Sequence, residues 1–309
     1  MPRISPSLAR KAIAKSSLLP RLLRANRTLE AAEQELRWIQ QELPQQQWKN
    51  AVLRRSRLEP LQYILKSQPF GPLDIICRSG VLIPRWETEE WTYKVANALA
   101  KLGKEKQLNI VDACTGTGCI PLLLTHELYE QEGIPVDVVA FDVSDEAFKL
   151  ASENLNEYSN IYKSGKYITI KQADLFSNDL VKELGVRKES DLVTSNPPYI
   201  PHEDYISSVS CNGTSRSVRI YEPSLALIGE NEFYGALLEQ LVIPTNSKGF
   251  IFELGYTYQA NYVRDKLRNM ESWKIGTSMD GAGRIRCVVG WQKGSEMEIL
   301  EEVCDEVLD

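Results

Sequence analysis

Histidine is scarce: His126 and His202 are the only two in 309 residues. With no HExxH and no clustered acidic ligands, no dedicated metal site is expected. The six cysteines, at 77, 114, 119, 211, 287 and 304, make no CxxC pair. That argues against a disulfide framework or zinc ribbon and suits a reducing compartment. No apolar run approaches the roughly 20 residues of a membrane helix, and neither repeats nor low-complexity tracts occur. What remains is the ordinary composition of a globular protein, 25% charged and 43% hydrophobic, long enough for about two domains.

Charge is unevenly spread. Residues 1–29 carry seven bases and no acid, which leaves 29 bases against 42 acids, a net of −13, in the rest. The first stretch, about 25 residues, reads as a mitochondrial transit segment or as a basic first helix retained on the mature chain. An acidic body argues against a broad nucleic-acid footprint. Residues 295–309 hold seven acids and no base. Their apolar positions (Leu300, Val303, Cys304, Val307, Leu308) follow helical spacing, so an amphipathic helix or tail is expected.

Residues 28–66 read as helices, with Thr28 as a cap. Glycine and proline around 71–80 suggest a hairpin or linker strand. After Pro84, strands near 109–113, 136–143, 167–172, 191–195 and 249–254 alternate with helices near 88–102, 119–130, 145–158, 232–243 and 257–270. Alternation of this kind specifies an α/β doubly wound, mostly parallel sheet. Strands near 273–279 and 285–292, joined by a turn too short for a crossover helix, form an antiparallel hairpin, for seven strands in all. Four segments result: a helical front (1–66), a linker (67–83), an α/β domain (84–294) and the acidic tail (295–309).

The first chemical motif is VDACTGTG at 111–118, after a strand and opening a helix. Ligands of open α/β sheets bind at this first turn. Gly116 and Gly118 let backbone approach a ligand closely. A dinucleotide fingerprint would place glycine at 121, where Pro121 stands. The next strand ends in Asp142, whose carboxylate accepts ribose hydroxyl protons. Together these favour S-adenosylmethionine over NAD. Asp174, in QADLF at 172–176, reads as an adenine acceptor or as a helix cap.

The second motif is TSNPPY at 194–199. Two prolines remove two backbone donors and fix φ. The Asn196 side-chain oxygen and the Pro197 carbonyl remain as acceptors, Pro198 stiffens the loop, and Tyr199 offers a flat face. A planar amide or amino nitrogen holds its lone pair in resonance. Two acceptors on its N–H bonds draw it toward tetrahedral geometry, and positioning supplies much of the acceleration.

DxxTGTG followed by NPPY resembles the class of N-methyltransferases acting on planar nitrogens. More narrowly, LIPRWETE at 82–89 resembles the LIPRPDTE/PRPETE segment of the HemK/PrmC release factor glutamine methyltransferases. PLQYI at 60–64, RIYEPSLAL at 219–227 and FELG at 252–255 extend the likeness. The opening MPRIS and the PRWETEEW segment resemble fungal mitochondrial members. The resemblance implies a Rossmann-like class I methyltransferase domain behind a small helical substrate-docking domain, located in the mitochondrial matrix or otherwise the cytoplasm. It implies N5-methylation of the glutamine in the GGQ motif of a peptide-chain release factor. It further implies that Cys114, Thr115, Gly116, Thr117 and Gly118 line the methionine and ribose of the cofactor. Asp142 then holds the ribose, Asp174 and Leu175 border the adenine, and Arg85 and Thr88 close the pocket. Asn196 and Pro197 accept from the glutamine amide and Tyr199 stacks on it. The expected partner is the release factor, with no obligatory nucleic acid, no membrane and a monomeric chain.

Two departures stand out. Cys114 replaces the usual first glycine, so backbone with φ < 0 is expected there. Trp86 replaces a proline, leaving the next helix start less pre-set. The alternatives are an N6-adenine or guanine-N2 nucleic-acid methyltransferase, for which the acidic body supplies little channel, and a non-enzymatic cofactor-binding module. The loop at 200–220 reads as a lid over the substrate or as a segment that orders only with its partner.

Overall fold

The computed structural model describes residues 3–158, 167–186, 189–207 and 214–308. Five helices come first: α1 (Pro6–Lys15), α2 (Leu19–Asn26), α3 (Leu29–Glu42), α4 (Trp48–Arg55) and α5 (Leu61–Leu65). The Thr28 hydroxyl caps α3 by accepting the Ala31 N–H at 3.2 Å. Their apolar faces meet in one cluster built on Leu22, Leu23, Leu36, Ile39 and Val52. Within it, Glu35 is buried but satisfied, taking the Arg55 guanidinium and the Asn26 amide. A charge so placed persists only when paired.

A hairpin follows, β1 (Ser67–Phe70) against β2 (Leu73–Ile76). Then come α6 (Trp86–Ala100), β3 (Leu108–Ala113), α7 (Cys119–Thr125), β4 (Val136–Asp142), α8 (Asp145–Tyr158) and β5 (Ile168–Gln172). They are succeeded by α9 (Leu180–Leu184), β6 (Leu192–Ser195), α10 (His202–Ile206), α11 (Arg216–Tyr221) and α12 (Asn231–Ala236). The chain closes with β7 (Gly249–Glu253), α13 (Thr257–Leu267), β8 (Trp273–Met279), β9 (Ile285–Gln292) and β10 (Glu306–Leu308). Helices α7 and α12 each continue as a π-helical turn, over 126–131 and 237–242.

The main sheet has eight strands in the order β10-β8-β9-β7-β6-β3-β4-β5. Pairs among β3, β4, β5, β6 and β7 are parallel, and β9, β8 and β10 join antiparallel. One face packs on α6 and α7 through Trp91, Val95, Leu122 and Leu123. The other packs on α12 and α13 through Tyr234, Leu241 and Val263. Both faces covered is what apolar parallel strands require. The order reverses at β3, flanked by β4 and β6, and ligands collect beyond the carboxyl ends of strands at such a point.

The sheet has one strand more than the seven expected, and the tail explains it. The amphipathic helix expected over 295–309 is instead a 3-10 helix, Glu296–Val303, which buries Met297, Leu300 and Val303. The chain then leaves helical geometry and pairs as β10 with β8, Val307 opposite Gly276. Val307 stays exposed. A free sheet edge outcompeted helical continuation for those last backbone groups. In the 200–220 loop, α10 and α11 form; residues 208–213 lie outside the described residues.

Candidate active site

A cavity of about 310 Å³ opens at the carboxyl ends of β3, β4, β5 and β6, a size usual for small-molecule sites, roughly 300–1,000 Å³. Its walls are the β3–α7 turn, the end of β4, the segment after β5, Asn196 and Pro198, and residues 80–85 with Thr88.

The turn owes its shape to three left-handed residues: Cys114 at φ +56°, Gly116 at +56° and Gly118 at +79°. The backbone expected to relax at Cys114 therefore does not. The turn keeps its glycine conformation although a side chain occupies it, at a cost of about 1–2 kcal/mol. A Cβ at Gly116 would meet nothing within 4 Å, because that residue faces open space. Asp142 braces the turn: Oδ2 accepts the Gly116 N–H at 2.9 Å and Oδ1 the Ser144 N–H at 3.0 Å. Each carboxylate oxygen keeps a lone pair for a ligand hydroxyl. Burial raises the Asp142 carboxyl from its ordinary value against those N–H donors.

Past Asp142 the wall turns apolar: Val143, Leu175, Phe176, Phe233 and Leu225. Phe176 and Phe233 meet edge to face at 5.2 Å. Asp174 lines the rim, one oxygen taken by the Phe176 N–H. A glycine cradle, a strand-end carboxylate and an apolar slot with flat rings suit an adenosyl sulfonium. Arg85 lines the cavity, but its guanidinium is committed to buried Glu222 at 2.7 Å. That pair ties the start of α6 to the segment after α11, which also walls the cavity through Pro223, Leu225 and Ala226. Helix α6 starts at Trp86 with no side-chain cap, and Glu87 and Glu89 supply first-turn acids, which favour a helix N-terminus.

Of the loop 196–199, Asn196 and Pro198 line the cavity, whereas Pro197 and Tyr199 do not. Asn196 Nδ2 donates to Thr88 Oγ1 at 3.0 Å. Its Oδ1 therefore points away from Thr88, free to accept. Tyr199 is half-buried, its hydroxyl donating to Glu253 at 3.2 Å and its carbonyl taking the Gln259 side chain at 3.0 Å. Burial pushes the Tyr199 phenol well up, so it stays neutral.

Three supports hold the site in place, and although Asp112 stands in VDACTGTG and Glu253 in FELG, the motifs do not tell what any of the three does. Asp112, buried at the end of β3, accepts the Thr194 hydroxyl at 2.6 Å and so locks the two motif strands together. Burial pushes its carboxyl up to about 7, against the hydroxyls of Thr115 and Thr194. Asn154 on α8 bonds Ile76 and the Thr117 carbonyl, stapling the hairpin to the turn. Glu253 on β7 collects Thr88, Trp91 and Tyr199. Its sequence signals were its place in the FELG segment and a lone charge ending an otherwise apolar strand.

The fold is the Rossmann-like fold of class I methyltransferase domains. The human METTL16 catalytic domain bound to an MAT2A 3'UTR hairpin matches at TM-score 0.54 and 18% identity, over 80% of this chain and 83% of that one. The METTL16 N-terminal domain in complex with SAH matches at TM-score 0.53 and 18% identity, over 78% and 83%. No family model matches. Among curated proteins, the mitochondrial MRF1 N(5)-glutamine methyltransferase MTQ1 of Saccharomyces cerevisiae is 39% identical, covering 98% of this chain and 93% of its own. A probable mitochondrial MRF1 N(5)-glutamine methyltransferase of Schizosaccharomyces pombe is 38% identical over 88% and 91%. The release factor glutamine methyltransferase of Leptospira interrogans is 32% identical over 77% of each. The chain belongs to the release factor N5-glutamine methyltransferase family. It is a mitochondrial enzyme, and S-adenosylmethionine is its methyl donor.

Proposed function

We propose that the enzyme methylates the side-chain amide nitrogen of the glutamine in the GGQ motif of a mitochondrial peptide-chain release factor. The observation that carries this reading is the Asn196 amide. Its nitrogen is anchored on Thr88, which leaves its oxygen as an acceptor at the edge of an adenosyl-sized cavity. The names of the relatives, acting on release factors in bacteria and on MRF1 in fungal mitochondria, support the substrate.

S-adenosylmethionine supplies an electrophilic methyl group on a sulfonium. In this reading residues 114–118 and Asp142 hold its methionine and ribose, Asp174 and Leu175 border the adenine, and Arg85 and Thr88 close the pocket. The substrate amide approaches from the Tyr199 side of the loop, outside the cavity. Asn196 Oδ1 and the Pro197 carbonyl accept its two N–H bonds, releasing the lone pair from resonance. The Tyr199 ring fixes its plane and Pro198 holds the corner rigid. No strong base is required, because the product cation is acidic. Residues 1–66 dock the protein substrate, which meets a monomeric chain.

The test incubates the enzyme with methyl-labelled cofactor and either mitochondrial release factor or nucleic acid. Label on the GGQ glutamine, a gain of one methyl by mass spectrometry, is expected. Label on DNA or ribosomal RNA alone overturns the proposal.

A further inference from the structure

We infer that Glu253 and Thr88 are positioning residues that fix which end of the Asn196 amide faces the substrate. The inference rests on the acceptor role given to Asn196 above.

The argument is one of hydrogen-bond direction. Trp91 Nε1 can only donate, and it donates to Glu253 Oε2 at 2.9 Å. The same Oε2 lies 2.6 Å from Thr88 Oγ1. An ionised carboxylate oxygen has no proton to give and accepts from both the indole and the hydroxyl, so Thr88 spends its one proton on Glu253. Only lone pairs then remain on Thr88 Oγ1 to face Asn196, 3.0 Å away. An amide oxygen placed there would meet another acceptor, whereas an amide N–H is satisfied. The amide is held with nitrogen inward and oxygen outward.

The other carboxylate oxygen, Oε1, takes the Tyr199 hydroxyl at 3.2 Å. One fully buried carboxylate thus sets both the amide and the ring of the NPPY loop. Glu253 does not line the cavity, so it acts through these partners rather than on a ligand. Burial raises the Glu253 carboxyl from its ordinary value, and the Thr88 and Trp91 donors and then Arg286 on the adjacent strand oppose that rise and favour the charge. The carboxylate both satisfies these buried donors and imposes a direction on Thr88.

The experiment uses the full chain and reads kcat for release-factor methylation at saturating cofactor, the cofactor Kd and the Tm. Thr88→Val and Glu253→Met remove the relay oxygens and should lose about 10²-fold in kcat, the scale of a misplaced reacting group. Thr88→Ser and Glu253→Gln each return an oxygen to the same place, the Gln carbonyl being turned toward Thr88 by the Trp91 N–H. Both should stay close to the parent. Cofactor Kd should hold in the Glu253 variants. Parental kcat in Thr88→Val, or Thr88→Ser as impaired as Thr88→Val, overturns the relay. If Glu253→Met fails to fold, the two Thr88 variants decide. Asn196→Ala is run alongside. Its impairment with an unimpaired Thr88→Val overturns the relay alone, whereas full activity in Asn196→Ala overturns the acceptor reading and the relay with it.

Discussion

The two loops that meet at the cavity are built by opposite means. The β3–α7 turn, 114–118, takes its shape from backbone: three positive-φ residues and one N–H held by Asp142. The NPPY loop takes its shape from side chains that arrive from α6, β7 and α13: Thr88, Glu253 and Gln259. A backbone cradle tolerates side-chain change except at the carboxylate that braces it. A loop aimed by a buried polar network fails when one member is lost.

The contrast breaks most visibly at Asn196. Asn196→Ala should cost about 10²–10³ in kcat, the scale of deleting one preorganised hydrogen-bonding group, while cofactor Kd changes far less. Single-turnover rates and calorimetric titration of cofactor separate the two quantities. Asp142→Ala should do the reverse. Cofactor Kd should rise on the order of 10–10², as loss of hydrogen bonds to a charged group implies, with kcat at saturation better preserved. If both variants damaged the same parameter equally, the loops would not be separable.

Asp112 sharpens the comparison, since it joins the two strands that carry the loops. Its buried carboxyl titrates near 7, against an ordinary value of 3.8. The folded state therefore keeps a proton that the unfolded state releases, and stability falls as pH rises through that window. Asp112→Asn cannot ionise and still accepts from Thr194. It should match the parent in thermal melts near pH 4 and exceed it near pH 8; a constant gap would refute the burial argument. The smallest effect belongs to Cys114. Cys114→Gly should bind cofactor like the parent, whereas Cys114→Val, β-branched at φ +56°, should lose about 1–2 kcal/mol of stability. Equal melting of Val and Gly variants would show that the turn relaxes.

The same division decides what could be read from the residues alone. The β–α alternation, the glycine turn at 114–118 and NPPY are local patterns of period and turn chemistry, so the sheet and both loops were legible. The conformation at Cys114 was not. A missing glycine suggested relaxed backbone, but the bond from Gly116 to Asp142 and the tight helix start hold the turn regardless. Val307 and Leu308 matched a helical stripe yet joined a sheet edge, because periodicity cannot register a distant unpaired strand. The Glu253 network joins Thr88 and Trp91 across 165 and 162 residues, beyond any window of sequence. Arg85 lines the cavity, and its partner Glu222 lies 137 residues away, outside any local pattern.

The most direct measurement is a structure of the enzyme with a non-reactive cofactor analogue and a release-factor peptide carrying the GGQ glutamine. Both N–H groups of that glutamine should lie within hydrogen-bond reach, roughly 2.7–3.2 Å, of Asn196 Oδ1 and the Pro197 carbonyl, with the sulfonium end of the analogue in the cavity behind them. A glutamine held elsewhere, or an Asn196 turned with its nitrogen toward the substrate, would contradict the mechanism.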